Sequence, residues 1–426
     1  MTHVNGMTRR RVLLVTDSFP PGSGGSGWST FELARQLRQR GHHVTVVHAM
    51  PGKEDGLHQT SYDGIDVTQF RCHVPNVPVV RNVLKNERLW STLARYLVTR
   101  LQASPVDVVH AQHVMTTVPA VRAGRQCNVP VVSTVRDYWP VCYWSDLIVE
   151  PSAPNLCPAC TVGGMCRCIP SRSALGRAAW PLIPYMRHNL ATKRRELARA
   201  QVVVAVSTAI ARDLRRRAPE LAQTRIETIP NPVDMTTLEP NATPPEQASV
   251  LYAGKLAVNK GVQFLLPALD AANVDWPLVV IGDGPMRSQL EADATRRGRK
   301  TRWLGWRDRA EVLTAMRGAT MLAFPSYGPE SLSRVLIEAS ALGLPIAAMD
   351  TGGTGDIIQH DVTGLLASSP EAFARDLGRL AGDPDLRARL GAGAAAHART
   401  HFEASQVAAR IEAVYASVLT TGPDHA

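Results

Sequence analysis

The sequence contains no apolar run long enough to cross a membrane, because a spanning helix needs about 20 consecutive apolar residues. It also lacks a convincing export signal. Three arginines at 9–11 precede the apolar run 12–15, but that run is too short for a signal core and no small-residue cleavage site follows it. The run therefore predicts a first β-strand, and we expect a cytoplasmic location.

Acidic residues are fewer than basic ones, 37 against 47, which gives a formal net charge of +10. Such a charge favours an acidic partner such as a nucleotide, a phospholipid surface or a nucleic acid. Nucleic acid is not the expected partner, because no recognition motif accompanies the charge.

The charge is concentrated in a basic segment, residues 171–200, in which Glu196 is the only acid. Trp180 and Tyr185 lie among its arginines and lysine. Basic residues mixed with aromatic ones are typical of a surface that docks on an anionic membrane. A solvated helix face packed on its own domain is the alternative.

Strand-like and helix-like stretches alternate along the chain, which predicts an α/β fold with parallel sheets. The predicted strands are 12–16, 44–48, 106–110, 129–134, 202–206 and 226–229, then 250–253, 278–282, 301–304, 321–325 and 345–349. The predicted helices include 28–40, 209–217, 262–272, 286–297 and 310–317. The split near residue 230 predicts two doubly wound, Rossmann-like domains facing across a cleft, 1–230 and 231–402. A last helix within 403–426 would pack back on the first domain.

Two glutamates flank a predicted helix start in the second domain. Apolar residues at 332, 335, 336 and 339 have helical spacing, so a helix should begin near Ser331 or Ser333. Glu330 would precede it and Glu338 would lie about two turns inside, roughly 10–12 Å further along the axis. The helix N-terminus between them could hold an anion. Two solvated glutamates at a helix flank are the alternative.

Two lysines bracket a strand-to-helix connection in the same domain. Lys255 follows a predicted strand and Lys260 opens a predicted helix, so both could converge on one anion, or both could simply be solvated. Gly282 begins the turn 282–285, which is weak evidence alone because any tight turn uses such residues.

A glycine-rich loop, residues 22–27, follows the first strand and could direct backbone N–H groups at a phosphate. Its glycines match G-x-G-x-x-G, but we reject a dinucleotide site. Residues 17–21, which include two prolines, separate the strand from the glycines. The second strand also ends at His48 and not at the Asp or Glu that a dinucleotide site has there. A flexible surface loop is the alternative.

Together these motifs resemble the retaining nucleotide-sugar glycosyltransferases of family 4, which have the GT-B architecture. In the second half the resemblance rests on 254–256 with 260–261, 281–285, 304–306, 329–330 with 338–339, 351–353 and 363–366. In the first half it rests on the glycine-rich loop, 133–139 and 229–234. It implies a cytoplasmic hexosyltransferase of polysaccharide or glycolipid biosynthesis, acting on a saccharide or lipid-linked acceptor.

The resemblance also implies a role for each matching residue. Glu338 would bind the ribose and Glu330 the donor sugar, while Lys255 and Lys260 would neutralise the diphosphate. The remaining implied donor contacts are the N–H groups of Leu332 and Ser333, Gly24 and Gly25 from the other domain, Gly282, and Leu304 along the base. The candidate catalytic residues are Glu330, Lys255, Lys260 and Asp137, and no cofactor or divalent metal is expected in catalysis.

Three departures from the family pattern stand out. Lys255 replaces the usual arginine, which keeps the charge but loses the bidentate fork. Arg136 replaces a common histidine that lies near the donor sugar, which leaves the sugar and acceptor less certain. Residues 331–333 replace a glycine-rich stretch.

Other functions remain as alternatives. A retaining glycosidase is excluded, because its two carboxyl groups would lie about 5–5.5 Å apart, half the expected separation. Retention in the family is thought to proceed on one face of the sugar without a protein nucleophile. A nucleotide-sugar epimerase of the same architecture, and a basic metal-binding module that docks on nucleic acid or membrane, both stay open.

Five of the seven cysteines cluster in an insertion at about 140–170 of the first domain: Cys142, Cys157, Cys160, Cys166 and Cys168. In a cytosolic chain this spacing favours a metal over disulfides. Four thiolates would suit structural zinc, and an iron–sulfur cluster less well. Free thiols and redox disulfides are the alternatives.

Elemental analysis of the purified protein tests the metal hypothesis directly. We expect about one zinc per chain, because four thiolates complete a tetrahedral site. Protein purified without stoichiometric zinc or iron would contradict it.

Overall fold

The computed structural model describes residues 3–4, 7–52, 54–74, 80–150, 156–171, 175–236, 238 and 247–420. The described residues form two compact units. Unit 1 lies within Met1–Ser145, Pro184–Pro232 and Ala404–Ala426, and unit 2 within Asp146–Ile183 and Val233–Glu403. The contacts of residues 146–183 therefore place most of the cysteine-rich insertion in unit 2, whereas the sequence placed it in the first domain.

The strands are mostly short apolar runs. In chain order they are β1 His3–Val4, β2 Met7–Thr8, β3 Arg11–Thr16, β4 His43–Gly52, β5 Gly56–Tyr62, β6 Ile65–His73, β7 Val108–Ala111, β8 Val131–Val135, β9 Val202–Ala205, β10 Ile226–Thr228, β11 Val250–Ala253, β12 Leu278–Ile281, β13 Thr301–Gly305, β14 Met321–Phe324, β15 Ile346–Met349 and β16 Leu365–Ala367. Every strand predicted from the sequence is confirmed within a few residues. The predictions omitted β1, β2, β5, β6 and β16.

The helices lie between these strands. In chain order they are α1 Gly25–Gln39, α2 Val80–Ala103, α3 Val114–Gln126, α4 Val162–Cys168, α5 Ile183–Leu197, α6 Thr208–Arg217, α7 Val262–Ala271, α8 Arg287–Arg296, α9 Arg309–Arg317, α10 Arg334–Ala341, α11 Pro370–Gly382, α12 Pro384–Phe402 and α13 Ala404–Thr420. Short 3₁₀ helices occupy Gly176–Leu182, Pro219–Leu221, Val258–Lys260 and Gly352–Asp356. Within the described residues, none of these helices is both long enough and apolar enough to span a membrane.

Unit 1 is built on an eight-stranded sheet with the order β10-β9-β8-β7-β3-β4-β6-β5. All neighbours pair in parallel except β5, which is antiparallel to β6. The inner strands are buried on both faces, as β7 and β8 show throughout their length, which explains their continuous apolar sequences.

The C-terminal helix α13 completes the core of unit 1 by packing against α1. Tyr415 OH lies 2.6 Å from Nδ1 of the fully buried His110, whose Nε2 lies 2.7 Å from Thr134 Oγ1. Burial lowers the pKa of His110 to about 3, with a further contribution from Arg136. The imidazole is therefore neutral and can donate one hydrogen bond and accept the other.

Unit 2 is built on a six-stranded parallel sheet with the order β13-β12-β11-β14-β15-β16. Numbered from β11, this is the order 3-2-1-4-5-6 of doubly wound nucleotide-binding sheets. Its core combines strand residues such as Val250 and Met321 with Leu266, Phe373 and Leu377 from the covering helices. The prediction of two α/β domains with parallel sheets is confirmed.

Candidate functional site

The candidate donor residues lie where the strand order of unit 2 reverses. Strands β11 and β14 are neighbours in the sheet, but the chain leaves them towards opposite edges. Ligands of doubly wound sheets bind beyond the carboxyl ends of the strands at such a point. Lys255 follows β11 by two residues, and Ser326 and Glu330 follow β14.

Glu330 is a buried carboxylate held by two donors on one oxygen. The ammonium of Lys260 and the hydroxyl of Ser326 each lie 2.5 Å from Oε1. The side chain of Glu330 is 9% exposed and that of Lys260 is 31% exposed, so the pair is open to solvent on the lysine side. A buried carboxylate needs such partners because isolated charge is costly to desolvate.

The backbone around Glu330 is also fixed. Gly353 N–H donates to the carbonyl of Glu330 at 2.7 Å. Gly352 has a φ of +56°, and a Cβ there would lie 2.1 Å from that carbonyl oxygen. Only glycine fits this close approach, so the turn at 352–353 fixes the backbone from which the Glu330 side chain extends.

Glu338 lies on α10 and is held by two arginines. Arg309 Nε lies 2.8 Å and Arg334 Nε 2.9 Å from Glu338 Oε1, and the glutamate side chain is 5% exposed. Among the hydrogen bonds of the described residues, none reaches Oε2. Oε1 is therefore anchored, and Oε2 can accept hydrogen bonds from hydroxyl groups of a ligand.

The N-terminus of α10 lies between the two glutamates in sequence. Ser333 is its N-cap, but the serine side chain makes no capping hydrogen bond, and no acid lies in the first turn. The helix start near Ser333 is confirmed. Its first N–H groups, next to the buried Leu332, are those that a phosphate group would bind.

The two candidate lysines differ in their surroundings. Lys255 is exposed, and among the described residues its ammonium has no hydrogen bond or ion pair. Its carbonyl accepts a hydrogen bond from Tyr252 OH at 2.9 Å. Lys260 ends a 3₁₀ turn and contacts Glu330. The sequence left open whether both lysines converge on one anion or are solvated; in the structure Lys260 has a carboxylate partner, Glu330.

Two further candidates of unit 2 lie at neighbouring strand ends. Gly282 follows β12 with a φ of +130°, and a Cβ there would lie 1.9 Å from the carbonyl oxygen of Gly254. This close contact requires glycine and joins the ends of β11 and β12. Leu304 is half-buried on β13, and Trp306 beyond it is 76% exposed.

Unit 1 has its own reversal of strand order, between β3 and β7. Asp17 directly follows β3, His113 follows β7, and Asp137 follows β8. His113 Nδ1 lies 3.1 Å from Asp17 Oδ2, and its Nε2 lies 3.2 Å from Asp137 Oδ2. Burial alone would lower the pKa of His113, but the two carboxylates more than offset it and raise the pKa to about 10. The ring is therefore an imidazolium at neutral pH.

The other candidates of unit 1 are backbone groups and a buried arginine. Gly24 is the N-cap of α1, Gly25 is its first residue, and no side chain caps this helix. Arg136 is 6% exposed, and its guanidinium donates to the side chains of Asn231, at 2.8 Å, and Gln112. Arg136 thus braces the ends of unit 1 strands.

The cysteine cluster gives no support for a metal site. Within the described residues, none of the seven cysteines forms a disulfide, and no group of three or more His, Cys, Asp or Glu side chains is placed to hold a metal ion. Cys157 Sγ lies 3.2 Å from the carbonyl oxygen of Ala159. Structural zinc stays a prediction.

Comparison with known proteins decides the family. Residues 236–397 match the family model for glycosyl transferases group 1. Residues 23–237, half of the chain, match the model for Glycosyltransferase Family 4. The chain belongs to glycosyltransferase family 4. The resemblance recognised in its sequence is therefore confirmed.

Curated relatives match parts of this family 4 chain. A D-inositol 3-phosphate glycosyltransferase of Xylanimonas cellulosilytica is 33% identical over 250 residues, which are 52% of this chain and 60% of that protein. The one of Corynebacterium glutamicum is 34% identical over 179 residues, 39% of this chain and 42% of that protein. The chain thus matches less than two thirds of the length of these relatives.

Solved structures match over nearly the whole family 4 chain. Sucrose-phosphate synthase of Thermosynechococcus elongatus has a TM-score of 0.73 and 18% identity, with 97% of this chain and 100% of that chain covered. Anabaena HepE in complex with UDP-glucose has a TM-score of 0.66 and 19% identity, with 96% and 100% covered. At these identities the likeness shows the fold alone, and it confirms the GT-B fold class.

The structure adds residues to the site that the sequence reasoning missed. They are Ser326, Arg309 and Arg334 in unit 2, and Asp17 and His113 in unit 1. Arg334 stands four residues before Glu338, a spacing that places both on one helix face. Asp17 and His113 each follow a predicted strand, so the position of strand ends was a usable signal for them.

Replacing Lys260 by Met should destabilise unit 2, because it leaves the carboxylate of Glu330 buried without its cation. We expect a loss of about 1–3 kcal/mol in the free energy of unfolding, measured by urea denaturation. Lys255→Met is the matched control and should change stability by less than about 0.5 kcal/mol. Adding Glu330→Gln to Lys260→Met should recover part of the loss. Equal losses in the two lysine variants would contradict this contact.

Proposed function

We propose that the chain transfers a hexose from a nucleotide-diphosphate donor to a saccharide or lipid-linked acceptor, with retention of anomeric configuration. One observation carries the proposal. At the strand-order reversal of unit 2, two buried and anchored carboxylates, Glu330 and Glu338, lie on either side of an uncapped helix N-terminus. This order suits a sugar, a diphosphate and a ribose.

Each end of the nucleotide-sugar donor would lie next to a fixed carboxylate that accepts hydrogen bonds from its hydroxyl groups. Glu338, with Oε1 held by Arg309 and Arg334, would accept from the ribose hydroxyls through Oε2. Glu330, fixed by Ser326 and the turn at 352–353, would accept from hydroxyls of the donor sugar. Both side chains are ordered before a ligand arrives, which reduces the entropy lost on binding.

The diphosphate would lie at the start of α10. The N–H groups of the first helical turn and the exposed ammonium of Lys255 would supply positive charge to the diphosphate. Lys260 lies beside the Glu330 carboxylate and is partly exposed, so it can also approach the leaving diphosphate. Cations placed in this way stabilise the negative charge that grows on the leaving group. No divalent metal is needed for that step.

Retention would proceed on one face of the sugar. The leaving phosphate would help to deprotonate the acceptor hydroxyl, and no protein nucleophile takes part. The carboxylates of Glu330 and Glu338 are each committed to cations and hydroxyl donors, so neither serves as a nucleophile in this scheme. Asp137 lies in unit 1, bound to His113, and remains a candidate catalytic residue.

The donor base and sugar are proposed from relatives. HepE, a structural neighbour, was solved with UDP-glucose, so UDP-glucose is the first donor to test. A thermal-shift screen of nucleotide sugars then identifies the donor, and the anomer of the product, read by NMR, tests retention. An inverted product would contradict the retaining mechanism.

Removing the Glu338 carboxylate should strongly weaken donor binding. We expect Glu338→Ala, and Glu338→Gln as the milder change, to weaken UDP-glucose binding by roughly 100-fold, because hydrogen bonds to a charged group are lost. Isothermal titration measures the affinity. Glu291→Ala, which removes a half-exposed glutamate of α8 paired with Arg287, is the control and should bind normally. Unchanged affinity in both Glu338 variants would refute the donor assignment.

We also propose that the protein docks at the anionic face of a membrane. The chain has no Asp or Glu between Glu150 and Glu196. Within that stretch Leu156, Val162, Leu175 and Trp180 are all at least 40% exposed. Large exposed apolar side chains in a stretch of sequence that contains no acid suit a surface of anionic lipid headgroups.

Sedimentation with vesicles tests the membrane proposal. At low salt the intact protein should sediment together with vesicles that contain anionic lipids. It should not sediment with purely zwitterionic vesicles, because their surface has no net negative charge. Trp180→Ala should weaken the binding, and Trp306→Ala, which removes an exposed tryptophan elsewhere, should not. No binding to anionic vesicles at low salt would rule out the proposal.

A further inference from the structure

The ammonium of Lys260 is bound to the carboxylate of Glu330, although the proposed function gives these two side chains different parts of the donor to bind. Lys260 Nζ lies 2.5 Å from Glu330 Oε1, and among the described residues this is the ion pair that Lys260 makes. In a donor complex the same ammonium would approach the diphosphate, while the same carboxylate would accept hydrogen bonds from the sugar. A diphosphate and Glu330 therefore compete for one cation.

The backbone that carries Lys260 is fixed on the loop that follows β14. Gly328 N–H donates to the carbonyl of Asn259 at 2.9 Å. Gly261 passes so close to this loop that a Cβ on it would lie 1.8 Å from the carbonyl oxygen of Pro325. Both chain neighbours of Lys260 are thus held in place. The ammonium can change its partner by rotation of the lysine side chain, without movement of the backbone.

The lysine is the movable member of the pair and the glutamate is the fixed one. The side chain of Lys260 is 31% exposed and that of Glu330 is 9% exposed. A lysine ammonium is a point charge on a flexible four-carbon stem, so it can turn towards an anion that enters from solvent. The carboxylate of Glu330 is held back, because the Ser326 hydroxyl also lies 2.5 Å from Oε1 and Gly353 N–H donates to the Glu330 carbonyl.

A change of partner by Lys260 has a cost at Glu330. A carboxylate largely removed from water is destabilised when the cation beside it leaves. Hydroxyl groups of a sugar would offset that cost, since each can donate a hydrogen bond to the carboxylate. The phosphate groups of a nucleoside diphosphate carry acceptor oxygens and negative charge at neutral pH. Without a sugar, therefore, the diphosphate end of the ligand supplies no donor to Glu330.

We propose that Lys260 stays with Glu330 when a nucleoside diphosphate binds alone, and turns to the diphosphate when the ligand also carries a sugar. The pair is specificity-determining, because it makes the donor site favour an intact nucleotide sugar over the free diphosphate that transfer releases. Weak binding of this product assists its departure after each transfer. The inference rests on the proposed transferase function and adds a coupling between the sugar and diphosphate parts of its donor site.

NMR of the full chain, with ¹³C at the lysine Cε atoms, tests the coupling directly. The chain has six lysines, and the Lys260 signal is assigned with Lys260→Arg. The probes are matched pairs at saturation: UDP with UDP-glucose, ADP with ADP-glucose, and GDP with GDP-mannose. With the pair that binds, the Lys260 signal should move on addition of the nucleotide sugar and stay in place with the diphosphate. Equal movement with both ligands, or none with either, overturns the proposal.

Lys255 provides an internal reference in the same spectra. It is exposed, and the proposed function places its ammonium at the diphosphate, so its signal should move with both members of the pair. If none of the six ligands binds, the donor site of the proposed function is refuted. If Lys255 responds to both ligands and Lys260 does not distinguish them, only the coupling is refuted.

A variant of the glutamate gives a second test by isothermal titration. Glu330→Gln removes the charge that holds Lys260, so it should tighten binding of the diphosphate by about fivefold or more, because the released ammonium can bind a phosphate. The preference for the nucleotide sugar over the diphosphate should fall at the same time. An unchanged or weaker affinity for the diphosphate overturns the proposal.

Two comparisons show that release of Lys260 is responsible. Asp270→Asn is the matched control: Asp270 lies 2.7 Å from Arg299 at the end of α7 far from Lys260, and its change should alter neither affinity. In Glu330→Gln the Lys260 signal should move with the diphosphate alone. A gain in affinity without that movement would reflect weaker charge repulsion and would overturn the coupling.

Discussion

Parallel strand pairing is the constraint on which both candidate sites depend. Because neighbouring strands run in one direction, their carboxyl ends meet at one edge, and residues distant in sequence become neighbours there. In unit 2 this places the residues after β11 and β14 together, so that Lys260 reaches Glu330. In unit 1 it places Asp17, His113 and Asp137 together. Each unit uses the same geometry for a different set of charges.

The charges within each set are matched locally. A carboxylate removed from water needs a cation or several donors. Glu330 has Lys260 and Ser326, Glu338 has two arginines, and the aspartates of unit 1 share one imidazolium. Both arginines bind the same oxygen of Glu338, Oε1. They fix the side chain and leave Oε2 able to accept hydrogen bonds. Such anchoring holds a binding group in its productive orientation without loss of its capacity for a ligand.

The sequence predicted the fold well because its signals are local. Runs such as 250–253 and 278–281 are apolar throughout, as strands buried on both faces require. Strand β5 was missed because most of its residues are exposed and polar, and β16 because three residues form too short a pattern.

The candidate site was predictable only in part. The order of Glu330, the α10 start and Glu338 was visible in one short stretch. The contact between Lys260 and Glu330 joins residues 70 positions apart, and no local pattern reports it. His113 and Arg309 were missed for the same reason, since their partners come from other strands and helices. Arg334, by contrast, was readable from its spacing to Glu338.

The helix α13 has a consequence for the order in which the chain is made. Its Val407, Ile411 and Tyr415 belong to the apolar core of unit 1, yet they leave the ribosome after all of unit 2. Domains emerge and fold from the N-terminus onwards. Here unit 1 is the first to be synthesised but the last to be completed, because its helix α13 is made after unit 2. The hydrogen bond between the His110 imidazole and Tyr415 can form only after α13 has been synthesised. Since unit 2 is also interrupted by Pro184–Pro232, neither unit corresponds to one continuous stretch of the gene.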